Sequence, residues 1–208
     1  MIYFYHIPKT AGTFIRVSFE KIMNTCSIYE VQTNSWLSIN KGVGIEFKCS
    51  HHYPILLSRR IPSDFFFTFI RNPVDLVYSR FHYIEKYQKN NSYQIMRKED
   101  KSYYDKGLCY YIDRIIEGEL SPEVWGKWDI DFDHFSFVGI MEEMDSSLKV
   151  LNSVLRLSMK NSRVINSTGI SDDYRKKELS EVLEKELELY NKYKAILKSE
   201  ESLLLSRT

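Results

Sequence analysis

Lysine, glycine and two threonines stand together in Pro8-Lys9-Thr10-Ala11-Gly12-Thr13, between an apolar run and a helical one. Those residue types suit an anion. Lys9 adds a point charge, Gly12 admits a close backbone approach, and the hydroxyls of Thr10 and Thr13 add donors beside the amides that a helix start leaves unpaired. A second set lies further on, where Arg71 follows an apolar run and Ser79 comes eight residues later. A guanidinium and a hydroxyl so placed can share a second phosphate. The triphosphatase order G-x-x-x-x-G-K-[ST] does not occur here, because the lysine precedes the glycine and the first glycine is missing.

The elements that must hold these groups are legible around them. Residues 2–7 are aromatic or β-branched and predict a strand, Pro8 breaks it, and Ile15, Phe19, Ile22 and Met23 then repeat at helical spacing. The second set has the same order. A strand runs into Arg71, Asn72 suits a helix N-cap, Pro73 suits the first helical position, and Val74, Val77, Phe81 and Ile84 share a face through about Gln88. Residues 27–31 and 45–49 predict further strands, separated by a polar segment through Asn40, and the second ends at Ser50-His51-His52-Tyr53-Pro54. Three strands ending near His6, His51 and Arg71 can face one crevice at the carboxyl edge of an open α/β sheet, where ligands bind.

Beyond the second helix, Arg80 is expected in solvent, and the polar stretch 86–106 is expected to be a mobile insertion, a candidate acceptor lid. Helical spacing returns at Leu108, Tyr111, Ile112, Ile115 and Ile116. Trp125, Trp128 and the alternating Asp129, Asp131 and Asp133 suggest a sugar and a divalent metal, but the same alternation describes a solvated edge of an extended segment, which is the favoured reading. A strand over 135–141, a helix capped by Asp145 and a long amphipathic helix from Ser171 through Leu197 complete the chain.

A chain of 208 residues with 43% hydrophobic residues can bury a substantial core and fits one α/β domain, 1–208. With 29 basic against 28 acidic residues it has no general attraction for nucleic acid or membranes, so anion binding must come from local placement. Cys26, Cys49 and Cys109 are odd in number and widely spaced, as reduced thiols are.

HIPKTAGT and RNPVDLVYS resemble the two nucleotide-binding elements of the PAPS-dependent sulfotransferases, the first for the 5′-phosphosulfate and the second for the 3′-phosphate of 3′-phosphoadenosine 5′-phosphosulfate. With FVGIMEEMDSSL, the details are most similar to the branch holding the uronyl and heparan sulfate 2-O-sulfotransferases. The resemblance implies an α/β fold of P-loop-like type, a three-layer sandwich whose central, mainly parallel sheet is flanked by helices. It implies PAPS as co-substrate, no metal, and a glycan or other hydroxyl-bearing acceptor. It assigns Lys9, Thr10, Ala11, Gly12 and Thr13 to the phosphosulfate, Arg71 and Ser79 to the 3′-phosphate, and a returning loop with Arg163, Ser167 and Thr168 to the same side. The family's catalytic base is a histidine between the two elements, usually after a glycine. Here Ser50 stands in the small position, which makes His51 the best match and leaves His52 as the alternative.

On this reading an acceptor oxygen attacks sulfur in line, His51 takes its proton, and Lys9 with the loop amides stabilises the leaving phosphate. No apolar run reaches the roughly 18 residues of a membrane span, and no signal-peptide pattern precedes the first strand. The expected location is therefore cytoplasmic, the alternative being a catalytic domain trimmed from a Golgi-anchored enzyme. The competing functions are a nucleotide-binding regulatory module without turnover and a metal-dependent glycosyltransferase using the three aspartates.

Overall fold

Alternation of aromatic residues builds the centre of the molecule. In the computed structural model, which describes residues 1–23, 25–30, 35–40, 46–88, 104–122, 124–125, 129–160 and 174–206, six strands form one sheet. They are β1 (Ile2–Tyr5), β2 (Thr25–Glu30), β3 (Ser35–Asn40), β4 (Glu46–Ser50), β5 (Phe65–Ile70) and β6 (Phe137–Ile140), in the order β3-β2-β4-β1-β5-β6. Every neighbouring pair is parallel except β2 with β3. The helices are α1 (Gly12–Ile22), α2 (Tyr53–Arg59), α3 (Pro73–Gln88), α4 (Leu108–Ile116), α5 (Met144–Leu155), α6 (Lys176–Val182) and α7 (Glu184–Leu205).

Because successive strand residues point to opposite faces, the aromatic residues sort into two layers. Phe4 stacks on Phe67 at 4.9 Å, and Phe19 of α1 stacks on Phe47 at 4.2 Å and meets Phe67 at 5.5 Å. The opposite face carries Tyr3, Tyr5 and Phe66, over which Tyr53 of α2 lies 5.4 Å from Tyr5 and 6.1 Å from Phe66. With α1 on one face and α2 on the other, the sheet is the middle of three layers, as the expected α/β class requires. Gly139 of β6 leaves room for a ring: a Cβ there would come within 2.5 Å of Phe69.

Contacts divide the described chain into two units. The sheet unit takes the chain through Arg71, the segment from Trp125 through α5, and α7 from Asn191. The helical unit takes Asn72 through Val124 and the chain up to Tyr190. Within it Phe81, Tyr104 and Tyr111 pack ring on ring at 5.0 to 5.6 Å, and Arg175 pairs with Asp113 at 2.7 Å. No described helix is long and apolar enough to cross a membrane.

Several local expectations change. The polar segment before Asn40 contains β3, an antiparallel edge strand whose serines and asparagine disguise it. Helix α2 begins at Tyr53, where only a strand end was expected. Glu143, not Asp145, occupies the N-cap of α5, with Asp145 in the first turn. The long final helix is two helices, α6 and α7, interrupted at Leu183, and the second continues to Leu205. Arg80 is not loose in solvent, since its guanidinium donates to the Pro122 carbonyl at 2.9 Å. The start of that helix at Ser171, the stretch 89–103 within the expected insertion, and Trp128 lie outside the described residues.

Phe19 is fully buried between α1 and the sheet. Phe19→Ala should therefore cost about 3–5 kcal/mol, a large part of the roughly 5–15 kcal/mol typical of a domain. Urea denaturation would measure it, and a loss below about 1 kcal/mol would show that α1 is not anchored through this ring.

Candidate active site

The loop between β1 and α1 is held in an unusual backbone conformation. Lys9 and Ala11 have φ of 69° and 63°, in the left-handed region that residues with a Cβ avoid, while Thr10 and Gly12 do not share it. Each such residue costs on the order of 1–3 kcal/mol, and such strain concentrates at ligand sites. Alternation of handedness along successive residues turns neighbouring N–H groups toward one concavity, the backbone form of an anion nest. Ala11 occupies the N-cap of α1, so no side chain there accepts a hydrogen bond from the first turn, and that turn carries no acidic residue. Its positive end is therefore presented toward the loop without a built-in counter-charge.

The loop residues divide the work differently from what their types suggest. Thr10 is fully buried and its hydroxyl donates to the Ile7 carbonyl at 2.8 Å. That hydroxyl proton braces the turn, so the expected side-chain donor is spent inside the loop. Thr13 is exposed and Lys9 half-buried. Gly12 is required less by an incoming ligand than by the protein: a Cβ on it would lie 1.7 Å from the His6 ring.

His6 follows β1 as His51 follows β4, and these strands are parallel neighbours with Tyr5 opposite Ser50. The ladder extends one step further, the His6 N–H donating to the Ser50 carbonyl at 2.9 Å. The two imidazoles end up 4.1 Å apart, and the His6 ring stacks on Phe4. His51 Nδ1 lies 2.5 Å from the carbonyl oxygen of His6. A carbonyl only accepts, so Nδ1 carries the hydrogen and the lone pair of His51 is on Nε2. Protein crowded around the exposed His51 side chain lowers its pKa, opposed by that carbonyl contact. Burial, then His51, then Arg16 hold His6 well below the ordinary histidine range. Both rings are thus neutral at pH 7, and the lone pair on His51 Nε2 can accept a proton.

His52 has a different task. Its ring nitrogen Nδ1 accepts from the Ile55 N–H at 3.3 Å, capping α2, while the Ser50 hydroxyl accepts from the His52 N–H at 2.9 Å. Ser50 thus braces the bend that sends the two histidines apart.

Arg71 immediately follows β5, half-buried, with Nε 3.9 Å from a carboxylate oxygen of Glu142. A loose, partly exposed ion pair of this kind contributes little and can be exchanged for a phosphate. Asn72 caps α3 as its sequence predicts, its side chain accepting from the N–H groups of Val74 and Asp75. Ser79 is buried in α3, in the helical unit. Arg163, Ser167 and Thr168 lie outside the described residues. Asp129, Asp131 and Asp133 are exposed, as a solvated edge would be, though Asp133 lies in a short 3-10 turn (Phe132–His134) that Asp131 caps by accepting from the Asp133 N–H. Among the described residues no three His, Cys, Asp or Glu side chains are grouped to hold a metal. His6, which sequence reasoning left out of the site, was signalled by its place: it has the strand parity of Ile2 and Phe4 and immediately precedes the loop.

No family model matches the chain, and no curated protein matches it. Among solved structures it is similar to mouse sulfotransferase SULT7A1 complexed with PAP, at 14% identity and a TM-score of 0.44, covering 77% of this chain and 60% of that one. The chain thus spans about three fifths of the length of that protein.

Two outcomes follow from the histidine geometry. His52→Ala should lower stability by about 1 kcal/mol through loss of the α2 cap, and His52→Asn should recover most of it. An unchanged denaturation midpoint in His52→Ala would remove the capping role. For His6 and His51, whose folded pKa values lie below that of an unfolded histidine, the unfolded chain binds more protons once pH drops under about 6.5. The stabilisation is complete above that pH and lost on acidification, so the urea midpoint should be lower at pH 5.5 than at pH 7.5, and a flat profile would contradict burial of neutral His6.

Proposed function

We propose that the chain is a sulfotransferase that moves a sulfuryl group from PAPS to an acceptor hydroxyl on a carbohydrate or glycan. The observation that carries this reading is the tautomer of His51, whose Nε2 lone pair is free at the carboxyl edge of the sheet, one strand away from the Lys9–Thr13 anion loop. In the proposed step the acceptor oxygen forms a bond to sulfur as its proton passes to His51 Nε2. The bond between sulfur and the bridging oxygen of the 5′-phosphate breaks, and that oxygen leaves with PAP. Lys9 and the amides of the loop meet the charge that grows on it. The two quoted elements support PAPS as donor, with Arg71 reading the 3′-phosphate that distinguishes it from ATP. The glycan acceptor rests on the resemblance to the 2-O-sulfotransferase branch alone. A cytoplasmic location belongs to the same reading.

A thermal-shift series tests the donor first. PAP at a hundred times its dissociation constant should add about 2.7 kcal/mol, a rise of roughly 5–10 °C, and Arg71→Ala should abolish it. A shift with ATP and magnesium, or with a UDP-sugar and manganese, but none with PAP, would overturn the assignment. Given an acceptor from a glycan screen with labelled PAPS, His51→Ala should lower the transfer rate about 10²–10⁴-fold at saturating donor. PAP binding with no transfer to any acceptor, in wild type and His51→Ala alike, would identify a binding module instead.

A further inference from the structure

The His6 side chain touches both halves of this arrangement. Its ring packs against Gly12 so closely that any Cβ at that position would overlap it, and the same ring lies 4.1 Å from His51. Its carbonyl receives the His51 Nδ1–H, and its N–H continues the ladder to Ser50. Phe4 backs the ring at 5.6 Å, nearly parallel to it. A residue held at its ring, its N–H and its carbonyl in this way transmits displacement, because close-packed groups have little slack to absorb it.

We propose that His6 is a positioning residue that locks the anion loop to the base: its ring, set against both Gly12 and His51, fixes the loop and packs on one side of the base, while its carbonyl sets the base's tautomer. The inference rests on His51 being the base of the proposed transfer, and it adds that the donor loop and the base cannot move independently. The charged and titratable groups around the pair are few. Arg16 of α1, itself paired with Glu20, acts on His6, and His52 is committed to the cap of α2. Neither supplies a carboxylate that would hold an imidazolium, so the protein packed around the two rings is the main influence on their protonation. Removing the ring would bare the side of His51 that now packs on protein and let its protonation return toward that of an ordinary histidine.

The test is a pH titration of the imidazole nitrogens by NMR on the full chain labelled with 15N-histidine, with His51→Ala to assign the resonances. Wild-type His51 should show the Nδ1–H tautomer and titrate below the usual histidine midpoint of about 6.5. In His6→Ala that midpoint should rise by about half a pH unit or more. Gly12→Ala, which must push the ring aside without removing it, should move it in the same direction. An Nε2–H tautomer in the wild type overturns the proposal without any variant, as does an unmoved midpoint in whichever variant folds. Neither readout needs turnover. A shifted midpoint in a chain that binds no PAP would remove the donor assignment and leave the coupling standing; PAP binding with an unmoved midpoint would do the reverse.

Discussion

The backbone of Gly12 and the ring of His6 occupy space that cannot also hold a Cβ, and the arrangement of the site follows from that contact. After β1 the chain must turn back across the end of its own strand to start α1, and His6 lies in the way. Only a residue without a side chain lets the first turn of the helix settle on the imidazole. The left-handed conformations of Lys9 and Ala11 are the backbone's means of making so tight a return. Their strain is opposed by α1 itself, whose Ile15 and Phe19 are fully buried. The same alternation of handedness that closes the turn also gathers amide groups, so chain reversal and a concavity suited to an anion have one geometric origin.

What could be read in the sequence was whatever is written in residue type over several consecutive positions. The strands 2–5 and 65–70 are so apolar that no helix period fits them, and Asn72-Pro73 announces the start of α3 by two independent preferences, an amide that caps and a ring that suits the first helical position. The lysine, glycine and threonines of the loop suggested an anion through their chemistry. Their division of labour was not legible, because it depends on which way each side chain turns. Thr10 and Thr13 look alike in a list, but one braces the loop from inside and the other is exposed.

The elements that were missed share a different cause. Strand β3 has serine at both ends of its apolar pair and relies on the ladder with β2 rather than on composition. Helix α2 is only seven residues long and includes a proline, too short for periodicity to declare itself; its signal was a capping histidine, a role in which asparagine or serine is commoner. The break at Leu183 has no glycine or proline to mark it. Such features are decided by tertiary contacts, which a single chain of letters carries only indirectly.

Which of His51 and His52 faces the loop is decided by register. Phe47 and Cys49 of β4 are both buried, Phe47 beneath Phe19 of α1, and the pairing places Ile2 opposite Phe47 and Phe4 opposite Cys49. Since side chains alternate, continuing this parity past the strand end brings His51 to the side of His6 and α1, and His52 to the side of α2. A slip of one residue between β4 and β1 would exchange the two, putting the capping histidine over the loop and leaving α2 without its cap. The slip would also turn Phe47 and Cys49 out of the core and Lys48 into it, where a partly buried ammonium would lie against Phe19 and Phe4. The histidine that faces the loop is thus fixed four residues earlier, by hydrophobic burial of Phe47.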